Sequence, residues 1–205
     1  MFKVEPTYQI TYIPRKPIIE VNIGKLTIFL ILICFFMYFL SKAYPSLIYS
    51  FSFSKNEFLR KPWTILTSAF LHANATHLFY NLLSLFIFGN MLEIKYGSKF
   101  LFLIFLISVI VGNIGFAIFS DGATIGISGA VFGFIGASVI LMPNARVPFP
   151  VGSISVLFKV WFAGPLMAIG ELLLSFISFD NIAHTAHFFG FIAGMIIAFV
   201  RKMSH

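Results

Sequence analysis

At 205 residues, 59% hydrophobic and only 10% charged, with a mean hydropathy of +0.96, the chain is too apolar for a soluble globular domain and reads as a membrane protein. The formal net charge of +7 does not point to nucleic acid, because the basic residues flank apolar runs instead of gathering in one patch. The single cysteine, Cys34, sits inside an apolar run, leaves the redox compartment undetermined, and is expected to face lipid or pack in the core.

Residues 1–24 are mixed and polar, with Lys3, Arg15, Lys16 and the prolines Pro6, Pro14 and Pro17. They lack the pattern of a removable secretory signal and are expected to form a short cytoplasmic tail. A single membrane domain is expected over 25–201, followed by a C-terminal tail at 202–205. A helix needs about 20 apolar residues to cross the hydrocarbon core. Six segments meet or approach that length: 26–44, 76–94, 100–119, 125–142, 153–177 and 182–200. Pro45 to Leu71, between the first two, mixes Lys55, Glu57, Arg60, Lys61 and Trp63 with phenylalanines, as an interfacial segment would.

With the N-terminus inside, nine basic residues (Lys3, Arg15, Lys16, Lys25, Lys95, Lys99, Arg146, Arg201, Lys202) lie on the inner side. Lys42, Lys55, Arg60 and Lys61 make four on the outer side, and Lys159 falls inside span five. That bias predicts cytoplasmic termini. Spans two, four and six then begin at the outer face, where their opening turns carry His77 and Asn81, then Ser128, then His184 and His187. Groups capable of acid-base and nucleophilic chemistry thus converge at one depth.

In span two, His77 and Asn81 are four apart and share a face, so an imidazole N–H and a carboxamide N–H can point together at a developing negative oxygen. A polar clamp between helices is the simpler use of the same pair. Glu93, near the inner end of that span, is expected to stabilise neighbouring backbone or a loop, and His72 lies in the outer loop where it can tune the site.

In span four, Gly126, Gly129, Gly133 and Gly136 fall within roughly 80° of arc on a helical wheel, with Ser128 next to Gly129 in the chain. Small residues on one face let two backbones approach closely. Span six supplies a matching stripe, His187, Gly190 and Gly194, within about 60°. If the two pack glycine to glycine, His187 is the natural partner for Ser128, since imidazole is suited to take a hydroxyl proton near neutral pH. Glu171 and Lys159 in span five, twelve apart, are too far along one helix to pair and receive no role. Asp180, seven residues or about 10 Å of helix before His187, is set aside as a third member, and His184 lies one turn above His187.

Other chemistries fit less well. No His-Glu-x-x-His sequence is present, Asp121 and Asp180 read as loop residues instead of an aspartyl pair, and Ala130 replaces the second glycine of a Gly-x-Ser-x-Gly elbow. No internal repeat or midplane charge pattern supports a transporter. Neither a cofactor nor a metal is expected.

Gly126-Ile-Ser128-Gly129, Ala186-His187-x-x-Gly190-x-x-x-Gly194 and His77-x-x-x-Asn81 resemble, in order and spacing, the three signature motifs of the rhomboid intramembrane serine proteases. The likeness covers about 58 to 200 and extends to Trp63, the Thr-Ser-Ala-Phe-Leu-His run after it, and Glu93 twelve residues beyond Asn81. It implies an all-α, six-helix polytopic bundle in which Ser128 is the nucleophile and His187 the general base, a dyad without a carboxylate. By the same resemblance, His77, Asn81 and the Ser128 N–H stabilise the oxyanion, with Gly126, Gly129 and Phe132 in support. The implied partners are lipid and membrane proteins, cut in or near a transmembrane helix, usually after a small residue. Oligomeric state is left open. Two positions depart from the family pattern: Thr64 stands where arginine is frequent, and Phe132 where some members carry tyrosine. The alternative is a catalytically silent rhomboid-like protein that binds unstable membrane helices.

Overall fold

The computed structural model describes residues 22–151, 154–177 and 183–204. Helix α1 (Lys25–Ala43) buries Thr27, Leu30, Cys34 and Ser41, which recur at helical spacing along one stripe, and turns Phe29, Leu32 and Phe36 outward. Cys34 is therefore a packed residue and not a lipid-facing one. The connection that follows holds only short helices, α2 (Ser46–Phe51) and α3 (Thr64–Thr67), with a tight 3₁₀ turn at Ser68–Phe70.

The second long rod runs from Ala75 to Tyr96. It consists of α4 (Ala75–Ser84), a π-helical turn at Leu85–Gly89 and α5 (Asn90–Tyr96). Asn74 caps its start by accepting from the His77 N–H at 2.8 Å, which fixes where the His77 face begins. After α6 (Ser98–Phe119) the chain re-enters the bundle as α7 (Ser128–Leu141), of only 14 residues. Every residue from Ala130 to Ser138 in α7 is buried. A helix apolar on all sides belongs at the centre of a bundle. Enclosed by other helices, α7 need not match the lipid thickness and is about 21 Å long.

Helix α7 packs chiefly against α9 (His184–Met203), with α6 completing a tight trio. Added methyl groups show why glycine is required. A Cβ on Gly190 would meet the Gly129 carbonyl, one on Gly194 the Gly133 carbonyl, and one on Gly136 the Phe191 carbonyl. Spans four and six thus meet glycine to glycine. Helix α8 (Val160–Ile177) lies beside them, burying Val160, Ala163, Gly164 and Ala168 and exposing Leu166, Ile169 and Leu173.

Five of these rods are long and apolar enough to cross a membrane, and α7 is the sixth, shorter apolar helix. The chain is an all-α polytopic membrane bundle. One addition is a hairpin of β1 (Arg146–Val151) and β2 (Ile154–Lys159), paired antiparallel from Arg146↔Lys159 to Val151↔Ile154. It corrects the start of span five, which begins at Val160 and not at 153, because residues 154–159 are extended. Lys159 is consequently an exposed strand residue outside the helix. Span four also shortens: Gly126 is not on the α7 wheel but in the turn before it, with φ at +119°. The expected N-terminal tail lies almost wholly outside the described residues, as do Asp180 and the first residue of the expected sixth span.

Opposite ends of the bundle are tied differently. At one end the loops pair: Phe53 and Thr124 exchange backbone hydrogen bonds of 3.1 and 2.8 Å, and Lys55 meets Asp121 at 2.7 Å. At the other, Glu93 accepts from the Leu26 N–H, the Thr27 N–H, the Thr27 hydroxyl and the Ser98 hydroxyl at 2.9, 2.8, 2.7 and 2.6 Å. Glu93 thereby satisfies free donors at the start of α1 and locks it to α5 and α6.

Candidate active site

Ser128 is the first residue of α7, half-buried, and its position is set by the turn before it. Gly126 donates its N–H to the Ser68 carbonyl at 2.9 Å in a left-handed conformation that glycine alone adopts readily. A Cβ there would also stand 2.9 Å from the His77 ring. Ser68 is held in turn by Asn113 of α6, whose Nδ2 donates to the Ile65 carbonyl at 2.8 Å and the Ser68 hydroxyl at 3.0 Å. Asn113, a polar residue within an apolar helix, belongs to none of the sequence motifs; the cost of burying a carboxamide there is the signal that marks it.

From α9, His187 brings its Nε2 to 2.7 Å from Ser128 Oγ. The His187 ring lies flat on Phe132, with centroids 4.7 Å apart and planes inclined by 7°. Phe132 is one turn beyond Ser128 on the same helix, so a single element supplies both the hydroxyl and the face that fixes the imidazole plane. Gly129 lets α9 approach near enough for this, through its backbone contact with Gly190.

His77 and Asn81 from α4 line the same cavity as Ser128, Phe132 and His187, a space of about 990 Å³. Asn81 is buried and donates from Nδ2 to the His77 carbonyl at 2.9 Å, which orients the carboxamide along α4. His72, in the connection before α4, packs its ring edge-on against His77 with centroids 5.1 Å apart. Burial, with the neighbouring His77 second, pushes the His72 pKa down to about 3, so it stays neutral at ordinary pH.

The largest departure from expectation is Glu171. Its Oε2 lies 2.9 Å from His187 Nδ1 and 2.6 Å from His184 Nδ1. The implied dyad without a carboxylate therefore has one beside it. Sequence spacing relates Glu171 only to Lys159 in the same apolar run, whereas its partners are on α9, across the interface. The signal was present: a glutamate inside a span needs a partner, and His184 and His187, three apart, offer one face. These three side chains place ligand atoms within 4.8 Å of one another, a set that could also hold a divalent ion.

Of the two sequence departures, Thr64 is buried and donates its hydroxyl to the Lys61 carbonyl at 2.6 Å, stabilising the turn that carries Trp63. Trp63 donates from Nε1 to the Ser50 carbonyl at 3.2 Å. Phe132 retains the stacking face without the tyrosine hydroxyl.

Comparison with known proteins agrees with this architecture. Residues 59–204 match the model of the Rhomboid domain. The chain is 32% identical over 148 residues to YdcA of Bacillus subtilis (strain 168), a match covering 67% of this chain and 66% of that protein. It is 38% identical over 87 residues to the rhomboid protease GluP of the same organism, covering 42% of this chain and 17% of GluP. Against the rhomboid protease GlpG of Yersinia pestis (strain Pestoides F) it is 28% identical over 144 residues, 67% of this chain and 47% of GlpG. The matches thus span less than two thirds of each relative's own length. With a family match over most of its length and an apolar helical bundle, this chain belongs to the rhomboid family of multi-pass membrane proteins.

Proposed function

We propose that this protein is an intramembrane serine endopeptidase that cleaves other membrane proteins within or near a transmembrane helix. The observation that carries the reading is the 2.7 Å contact between Ser128 Oγ and His187 Nε2 inside a cavity that His77, Asn81 and Glu171 also line. Ser128 Oγ attacks the scissile carbonyl as its proton passes to His187 Nε2. The oxyanion so formed accepts hydrogen bonds from the Ser128 N–H at the α7 N-terminus, from Asn81 and from His77. His187 returns the proton to the departing amine, leaving an acyl-Ser128 ester. A water molecule, deprotonated by the same imidazole, hydrolyses the ester and restores the hydroxyl. A substrate helix has its carbonyls already bonded, so the scissile segment must unwind before it enters the cavity.

The proposed orientation follows from charge. Lys159 pairs with Arg146 across the hairpin and joins the inner set, making ten basic residues there against four outside. Both termini are then cytoplasmic and the cavity opens outward. The domain division is a single membrane unit over 25–201 with short tails at 1–24 and 202–205.

The test is cleavage of a transmembrane substrate with an unstable helix by purified protein in liposomes. The intact protein cleaves, and Ser128→Ala and His187→Ala do not. Undiminished cleavage by Ser128→Ala contradicts the mechanism. Binding without cleavage by the intact protein favours a silent helix-binding role.

A further inference from the structure

We propose that Glu171 is a positioning residue for His187: its carboxylate holds the imidazole in the tautomer that accepts the Ser128 proton. The proposal rests on the peptidase reading above. The geometry is a continuous chain, Ser128 Oγ to His187 Nε2 at 2.7 Å and His187 Nδ1 to Glu171 Oε2 at 2.9 Å. A carboxylate oxygen can only accept, so the proton of neutral His187 is held on Nδ1, and the Nε2 lone pair faces the serine hydroxyl. Phe132 cannot make this choice, because a ring face fixes the imidazole plane but does not distinguish its nitrogens.

His184 gives the arrangement its rigidity. Its Nδ1 donates to the same Glu171 oxygen at 2.6 Å, so the carboxylate is held by two imidazoles from successive turns of α9. The Glu171 side chain is 17% exposed and that of His187 9%. At such a site, the imidazolium formed when His187 takes the serine proton would be costly to leave unpaired. The carboxylate offsets that cost during the step in which the charge exists. No bond to Glu171 is made or broken, and the proton stays on Nδ1 throughout. The three residues come from three helices: Ser128 from α7, His187 from α9 and Glu171 from α8.

Glu171→Gln, Glu171→Asp and Ser128→Ala in the full chain, assayed in liposomes on the same transmembrane substrate, test this with kcat, KM and Tm measured separately. Glu171→Gln is expected to lower kcat by about 10²-fold with KM within about twofold. Its Tm stays near that of the parent. Glu171→Asp, which restores a carboxylate, recovers at least about tenfold of that loss. Parental kcat in Glu171→Gln, alongside an inactive Ser128→Ala, overturns the role of Glu171 and leaves the peptidase reading standing. A shared fall of Tm and activity in both Glu171 variants makes the residue merely structural and also overturns it. So does activity lost to a chelator and restored by zinc, which would make Glu171 a metal ligand. Cleavage by Ser128→Ala would instead remove the underlying reading.

Discussion

Among the described residues, two glutamates lie on membrane-spanning helices, Glu93 and Glu171, and they are satisfied in opposite ways. Glu93 accepts only from backbone N–H groups and hydroxyls at the start of α1 and α6. Glu171 accepts from two imidazoles beside a serine. Donors of the first kind do not titrate or transfer protons near neutral pH, so Glu93 is a clamp that holds helices. Donors of the second kind change charge during acid-base chemistry, so Glu171 is tied to the site. Both carboxylates need partners where water is scarce, and the chemistry of the partner decides the role.

Substitutions at the two ends should therefore separate activity from stability. The largest effects belong to the serine end: Ser128→Ala and His187→Ala should each lower kcat by roughly 10³-fold or more while leaving Tm nearly unchanged. Asn81→Ala should lower kcat by about 10²–10³-fold, the usual result of losing one oxyanion donor. Activity lost only together with the fold would return Asn81 to a helix clamp. At the opposite end, Glu93→Gln should reverse the pattern, costing about 1–3 kcal/mol in stability by thermal denaturation, with kcat retained below the transition. A Glu93→Gln variant that folds normally but does not turn over would abolish the contrast.

The smallest effect concerns His72. Its pKa is lowered from 6.5 to about 3, so between those values the unfolded chain binds a proton that the folded chain does not. Stability from this group is fully present above pH 6.5 and is lost as pH falls toward 3. His72→Phe should flatten the decline of Tm between about pH 6.5 and 4, and an unchanged slope would show that His72 does not contribute.

Hydropathy located all six rods, and the glycine spacing anticipated how two of them meet. What it could not resolve were boundaries at which the backbone changes without a change in apolarity. Ile154 to Phe158 is nearly as apolar as the helix it precedes, so hydropathy merges the second strand with span five; Pro148 and Pro150, which a helix interior disfavours, are the sequence sign that the preceding segment is not helical. The true start of α7 was hidden likewise, since a wheel drawn through Gly126 presumes a helix where a positive φ forbids one. That Ser128, His187, His77 and Asn81 meet at one cavity is legible in the sequence, because each lies near the start of its span. Glu171 was not, because it lies midway along α8 and reaches its partners only through tertiary packing.

The proposed peptidase activity turns on whether His187 activates Ser128. A fluorophosphonate probe reacts with an activated serine, and mass spectrometry of the labelled protein identifies the residue modified. The expected result is an adduct on Ser128 that disappears in His187→Ala. Labelling of Ser128 at the same rate without His187, or of another serine instead, would contradict it.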